Sequence, residues 1–358
     1  MPFDKKTESF LEQLLVTPSP AGFEKAGQQI WMDHLRTVTD RVETDTDGSA
    51  AAHIDTDPSA ITIMLEAHCD EIGMIIQHID DSGYLYVGRV GGSDPTIARA
   101  RRVYIHGSDG VVSGIIGNTA IHLQDRSNNK LPKWSDLFID IGAGNREEAL
   151  AMVQIGDPVT LAEQFEFLSD DIISGRALDN RIGGFVLAKV MENIRKNRDK
   201  LQVNVIALNA VQEEVGGYGA RMMTYRYNPD VAIVTDVTHA TDTPGINHKE
   251  HGLVKMGQGP VITHGGANHA KVLGHIEKAA EDSGIDLQHE AAGSRTGTDT
   301  DSIFYQKNGV PSGLVSLPLR YMHSPVEMAS VSDIMALTDV MTRSVLQMEK
   351  GQKFSLFD

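Results

Sequence analysis

The chain has 358 residues, with 32 Lys and Arg against 49 Asp and Glu, a formal charge of −17; 41% of it is hydrophobic and 23% charged. These proportions suit a globular protein of two domains, or of one large domain with an insertion, and exclude a disordered, collagenous or coiled-coil chain. The acidic balance argues against nucleic-acid and anionic-membrane partners, and the single cysteine, Cys69, excludes a disulfide framework or a multi-cysteine metal site.

Residues Met1 to Glu8 lack the apolar run and cleavage site of a secretory signal, and no run of about twenty apolar residues occurs, so a cytoplasmic location is expected. Phe10, Leu11, Leu14 and Leu15 recur at helical spacing, and the segment Thr17 to Gly22, with two prolines, ends that helix. A second helix is expected over Ala26 to Thr37, and Asp45 to Gly48 reads as a turn between two strands. Ile61 to Leu65 is a short apolar run with β-branched members, as in a strand buried on both faces, and it leads directly into Glu66-Ala67-His68-Cys69-Asp70.

From about residue 72 to 165 the texture is short β-like runs with glycine turns: Met74 to Ile79, Tyr84 to Val90, Arg102 to His106 and Val111 to Ile116. That spacing predicts a small barrel or sandwich. One helix is expected there, Asn145 to Gln154, with Asn145 as N-cap and Glu148 three residues on. After residue 166, strand and helix alternate. The expected elements are a helix at Asn180 to Asn197, a strand at Val203 to Ala210, a helix at Gly219 to Tyr225 and a strand at Val231 to Thr235. A helix at Asn268 to Ser283, a strand at Ser312 to Leu317 and a closing helix at Ser330 to Met348, with Asp333 in the capping-box position, complete the set. The rhythm predicts an α/β domain with a mostly parallel central sheet, split by an all-β insertion.

There is no nucleophile elbow, phosphate-binding loop, dinucleotide fingerprint or H-E-x-x-H helix. What remains is a set of acids and histidines at the ends of expected strands, where open α/β sheets bind ligands. His68-Cys69-Asp70 follows a buried strand; its histidine can bind a metal while the acid orients the imidazole, or it can be a hydrogen-bonded histidine at a strand end. Asp179 stands just before a helix, as an N-cap or as a ligand. Glu213 and Glu214 follow an apolar strand. They form either a solvated acidic loop or two diverging carboxylates, one for a metal and one serving as general base. Asp236 and His323 also follow strands, and each alone could be a turn residue. Together, two histidines and three carboxylates can hold two first-row metal ions with one carboxylate shared, which would acidify a bridging water and polarise a carbonyl beside a free glutamate.

The stretches Glu66 to Gly73, Ala177 to Arg181, Val211 to Gly216, Thr235 to Asp242 and Arg320 to Ser324 give the chain its identity at family level: it resembles the M42 metallo-aminopeptidases, which include tetrahedral and glutamyl aminopeptidases. The resemblance implies a fold of the di-zinc exopeptidase type. Residues 1–71 and 166–358 would form the catalytic domain and 72–165 an inserted β dimerisation domain. It further implies that His68 and Asp236 hold one metal, Glu214 and His323 the other, and Asp179 both. Glu213 would be the general base that passes the water's proton to the leaving amine, Asp70 would orient His68, and the Asp179–Asn180 peptide would be cis. Two divalent ions per subunit are implied, zinc first with cobalt or manganese also suited. The implied substrates are short peptides, and the implied assembly is dimers built into a dodecamer.

Other readings are weighed against this one. A di-metal N-acyl-amino-acid deacylase or related amidohydrolase would use the same metals on blocked substrates. A glycoside hydrolase would need two carboxyls about 5–9 Å apart across a glycosidic bond, and it leaves His68, Asp179, Asp236 and His323 without a purpose. A non-catalytic scaffold with a structural metal would more commonly be cysteine-rich and would not need the spare Glu213. Among the other histidines, His239, His248, His264 and His269 could line a substrate pocket or belong to surface loops.

Overall fold

The structure, a computed structural model, describes residues 3–123, 131–162 and 164–357. Met1, Pro2, residues 124–130, Glu163 and Asp358, which fall within the expected domain spans, lie outside the described residues. Helix α1 (Lys5–Val16) starts where Asp4 accepts from the Thr7 amide at 2.8 Å, and it buries Phe10, Leu11, Leu14 and Leu15. Helix α2 (Lys25–Leu35) buries Trp31, whose indole N–H donates to the carbonyl of Gly184 at 2.8 Å. Strands β1 (Arg41–Thr44) and β2 (Ala50–Ile54) form an antiparallel hairpin. One carboxylate oxygen of Asp45 accepts from the amides of Asp47, Gly48 and Ser49, which sets the turn between them.

Strand β3 (Thr62–His68) is buried on both faces, as its apolar run predicts. Ile63, Leu65 and Ala67 face the larger core, and Met64 faces the smaller one on the opposite side of the sheet. The chain then leaves the sheet through β4 (Gly73–Ile79), β5 (Leu85–Val90), helix α3 (Pro95–Ala98), β6 (Arg102–Gly107), β7 (Gly110–Ile116), β8 (Ile139–Asp140), helix α4 (Arg146–Leu150) and β9 (Pro158–Leu161). These strands close a barrel in the order β4-β5-β8-β7-β6-β9, around a core of its own that includes Met74, Ile76, Val103, Ile105 and Val159. Asn145 caps α4 as expected, accepting from the Glu148 amide at 2.9 Å, but the helix ends at Leu150 rather than Gln154.

The return to the sheet runs through β10 (Glu166–Phe167), β11 (Ile172–Gly175), helix α5 (Leu178–Lys196), β12 (Asn204–Ala210), helix α6 (Tyr218–Tyr227), β13 (Val231–His239) and helix α7 (His248–His251). It continues with β14 (Val261–Gly265), helix α8 (Ala270–Ser283), β15 (Gln288–Ala292), helix α9 (Thr300–Ile303), β16 (Ser312–Leu319), β17 (Glu327–Ser330) and helix α10 (Val331–Leu346). The eight-stranded sheet has the order β1-β2-β12-β3-β13-β16-β14-β15. Its centre, β12-β3-β13-β16, is parallel throughout. Helices α1, α2, α5, α8 and α10 cover one face, and α6 and α9 the other. The fold is therefore the expected α/β sheet with a separate six-stranded antiparallel barrel. The strands β8, β9, β10, β11, β14, β15 and β17 are not named in the sequence reading.

Asp333 departs from its expected place in a capping box. Ser330 does accept from the Asp333 amide, but the Asp333 carboxylate turns instead to the amides of Gly257 and Gly259, at 2.6 and 2.8 Å. Asp333→Ala would leave two amides without an acceptor at a buried position. A loss of about 2–4 kcal/mol is expected, read as a lowered denaturant midpoint; an unchanged midpoint would show that water replaces the carboxylate.

Candidate active site

The carboxyl ends of β3, β12, β13 and β16 lie side by side because these strands are parallel and adjacent. His68 is the last residue of β3, and it is in register with Ala210 at the end of β12. Asp236 lies on β13, and His323 follows β16. Asp179 enters from the start of α5. Glu213 and Glu214 sit in the turn after β12, where Gln212 adopts a positive φ of 62°. The Asp179–Asn180 peptide is cis. The Asn180 side chain donates to the carbonyl of Thr235 at 3.0 Å and accepts from the Gly183 amide at 3.1 Å. Residue 183 must be glycine here, since a Cβ would lie 2.4 Å from that Asn180 oxygen and 2.8 Å from Ala67.

The metal-ligand and general-base candidates read from the sequence, His68, Asp179, Glu213, Glu214, Asp236 and His323, meet in one place. His68 Nε2 is 3.2 Å from Asp179 Oδ1 and 3.5 Å from Asp236 Oδ1. His323 Nε2 is 3.3 Å from Asp179 Oδ2 and 3.5 Å from Glu214 Oε1. Asp179 thus presents one oxygen to each histidine. The result is two donor triplets, His68/Asp179/Asp236 and Asp179/Glu214/His323, each with its donor atoms within 4.8 Å of one another. Asp179 does not act as a cap: among the described residues its carboxylate accepts from no amide of α5 and faces His68 and His323 instead.

Asp70 has a wider role than its sequence position suggests. Its two carboxylate oxygens accept from the amides of Glu213 and Glu214 at 3.0 and 3.1 Å. His68 Nδ1 lies 3.2 Å from the Asp70 carbonyl and 3.4 Å from its carboxylate. One buried acid therefore holds the imidazole on one strand end and the acidic turn on the next. Cys69 takes part through its backbone, donating to the carbonyl of Ala210 at 2.7 Å, while burial pushes its thiol pKa up.

Several residues of the site were not legible. Glu327 is buried; it accepts from the amide of Asp179 at 3.1 Å and from that of His323 at 2.9 Å, so it anchors two members at once. Its only signal is an acid four residues after a histidine, which is too common to use. Glu66 and Asp299 are both buried beneath the site; burial raises the pKa of each, Glu66 to about 8, and the neighbouring Glu66 raises Asp299 further. Gly92, from the loop after β5, lies against His323, where a Cβ would come within 2.4 Å of Nδ1. Arg176 pairs with Glu71, whose other oxygen accepts from the Ser19 amide at 2.7 Å, and this ties the start of α5 to the N-terminal loop.

A cleft of about 540 Å³ opens over the cluster and is bordered also by Thr238, His239, Thr296, Thr298 and Met322. No lysine or arginine is among its described lining residues. His239 thus does line it. His248 Nε2 instead donates to the Thr241 carbonyl at 2.8 Å, His264 pairs with His289, and His269 stands at the N-cap position of α8 without a side-chain cap bond.

The electrostatics show a deficit of positive charge. Burial pushes Glu213 up to about 10 and Glu214 up to about 7, and it raises Asp236 as well. The Asp179 and Glu214 carboxylates beside its ring hold His323 up at about 11. Against the cost of its burial, contacts with His323 and His68 keep the Asp179 carboxyl below its ordinary range. Glu214 Oε1 is buried and, among the described residues, has no hydrogen bond, its nearest donor being His323 Nε2 at 3.5 Å. Among the described residues, the Glu213 carboxylate makes neither a hydrogen bond nor an ion pair. Buried carboxylates in excess of cations, with a bare oxygen among imidazole nitrogens, fit divalent metal ions.

Comparison with known proteins agrees with this chemistry. The family model for the M42 glutamyl aminopeptidases matches residues 48–340. A putative aminopeptidase of Acetivibrio thermocellus is 36% identical over 317 residues, covering 88% of this chain and 91% of the relative. Among solved structures, a TET aminopeptidase from the marine sediment archaeon Thaumarchaeota archaeon SCGC AB-539-E09 superposes with a TM-score of 0.91 at 29% identity, over 96% of this chain and 97% of the other. The TET1 peptidase of Pyrococcus horikoshii, described as able to assemble into a tetrahedron or a large octahedral shell, superposes with a TM-score of 0.84 at 28% identity, over 96% of this chain and all of the other.

Proposed function

We propose that this chain, which belongs to the M42 aminopeptidase family and is a peptide hydrolase, removes N-terminal residues from short peptides at the site just described. The observation that carries the reading is Asp179, whose two oxygens face two histidines in two donor triplets. His68 and Asp236 would hold one divalent ion, Glu214 and His323 the other, and Asp179 would serve both. Zinc suits these donors first, and cobalt or manganese suits them too. When bound, such ions supply Lewis acidity: they lower the pKa of water and polarise a carbonyl.

The chain's own groups do the rest. Glu213, whose carboxylate makes no hydrogen bond or ion pair among the described residues and borders the cleft, takes the proton of the attacking water and gives it to the amine that leaves. Asp70 holds the Glu213 and Glu214 amides so that the two side chains diverge, one to the cations and one to the water. Glu327 keeps Asp179 and His323 in place through their amides. The acidic cleft suits a free, protonated substrate amine.

We further propose residues 1–71 and 166–358 as the catalytic domain and 72–165 as an insertion through which copies of the chain dimerise and build a dodecameric shell. In support, the barrel has its own core and exposes Val111, Ile115, Leu131 and Ile155. Among the described residues, no helix is long and apolar enough to cross a membrane, and we propose that the enzyme acts in the cytoplasm.

An aminoacyl-nitroanilide assayed beside its N-acetylated form tests the reaction. Cleavage of the free amine alone, abolished by a chelator and restored by a divalent ion, is the expected result. Cleavage of the acetylated substrate alone would make the protein a deacylase.

A further inference from the structure

Outside the cleft, metal-ligating side chains meet at a corner built by β14, β15 and α8. The two strands pair in parallel, with Ile262 opposite His289 and His264 opposite Ala291. Side chains two apart share a strand face, so His264 and His289 leave the sheet on the side of Ile262. That is the side covered by α8, where Ile262, Val272 and Ile276 share one core. Glu277, the residue after Ile276, reaches the same corner from the helix. The intervening residues alternate to the other face, where Glu290 accepts from Thr263 at 2.6 Å and from the cleft residue Thr238 at 2.7 Å. The histidine pair therefore turns away from the cleft and shares no residue with it.

We propose that His264, Glu277 and His289 form a peripheral binding site for a divalent transition cation, with Zn2+ the reference case. His264 Nε2 and His289 Nδ1 are 3.0 Å apart, with the rings 12° from parallel. A carboxylate oxygen of Glu277 completes a triplet whose donor atoms lie within 4.8 Å of one another. Two Zn–N bonds of about 2.0–2.1 Å at a tetrahedral angle place their nitrogens about 3.3 Å apart, so the rings need to part only slightly. Two imidazoles and one carboxylate suit zinc, copper or nickel, and they suit calcium or magnesium poorly because those prefer oxygen donors. All three side chains are exposed, so water fills the remaining positions. β15 is the outermost strand of the sheet and, among the described residues, pairs with β14 alone. An ion here would join that edge to its neighbour and to α8, stabilising the folded corner by binding it and not the unfolded chain.

The test compares the full-length protein with His264→Ala, His289→Ala and Glu277→Gln. Each is equilibrated with Zn2+ by dialysis, metal per subunit is counted, and nitroanilide cleavage is followed in parallel. The histidine variants are expected to hold one zinc fewer than wild type and Glu277→Gln to hold it more weakly, with peptidase activity unchanged in all three. Because the count is a difference from wild type, it does not depend on how many ions the cleft takes. Equal zinc contents in wild type and both histidine variants would overturn the proposal. A zinc-edge anomalous map of wild-type crystals provides a second readout that needs no variant: a peak between His264 Nε2 and His289 Nδ1 supports the site, and its absence in zinc-soaked crystals overturns it.

Discussion

Glu213→Gln is expected to lower kcat by about 10²–10⁴-fold while leaving the metal content of the cleft unchanged. The substitution keeps the size of the side chain and removes only its ability to accept a proton. Nothing else depends on that carboxylate, since it makes no hydrogen bond or ion pair among the described residues, and the Glu213 amide that binds Asp70 stays in place. Its backbone position, and with it that of Glu214, should therefore survive. Turnover of an aminoacyl-nitroanilide and metal content after dialysis are the two measurements. Loss of metal equal to the loss of turnover would refute the division of labour between the adjacent glutamates.

Asp179→Asn is expected to fail at the earlier step of holding the ions. Each carboxylate oxygen of Asp179 faces a different histidine, so removing its charge weakens both donor triplets. Loss of a mere supporting contact in a metal site commonly costs 10–100-fold in affinity, and the loss of a shared ligand should cost at least about as much. Metal content after dialysis against a chelator should fall for both ions, and activity should return only partly at high metal concentration. Loss of one ion with full retention of the other would show that Asp179 serves one side alone. His68→Ala and His323→Ala serve as comparators, because each removes a donor from only one triplet.

The site was legible from sequence to the extent that it is made from strand ends. His68 and Glu213-Glu214 each stand at or just past a run of apolar, β-branched residues, and Asp236 lies within the part of β13 that the reading left beyond Thr235. Parallel neighbours deliver such residues to one edge of the sheet wherever the chain goes between them. Asp179 was ambiguous because a carboxylate before a helix serves equally as a cap or as a ligand. The structure separates the two by the missing cap hydrogen bond at the start of α5 and by the contacts of Asp179 with His68 and His323. Glu327 and Gly92 were not legible, because their roles are contacts with His323 that no spacing encodes. β14 and β15 escaped for a related reason: Val261 to Gly265 and Gln288 to Ala292 are short and mix polar with apolar residues, and they become strands by pairing with each other and with β16.

The amino-acid order by itself determined which segments bury which faces, where the all-β segment interrupts the α/β rhythm, and which acids and histidines stand at strand ends. Those are consequences of local periodicity and of the cost of burying unpaired charge. The tertiary structure alone decided that Asp179 stands between two histidines 255 residues apart, that Asp70 and Glu327 hold their neighbours through backbone amides, and that His264 meets His289 at the sheet edge. Distances between side chains remote in sequence depend on strand order and register, which arise only when the whole sheet closes around its core.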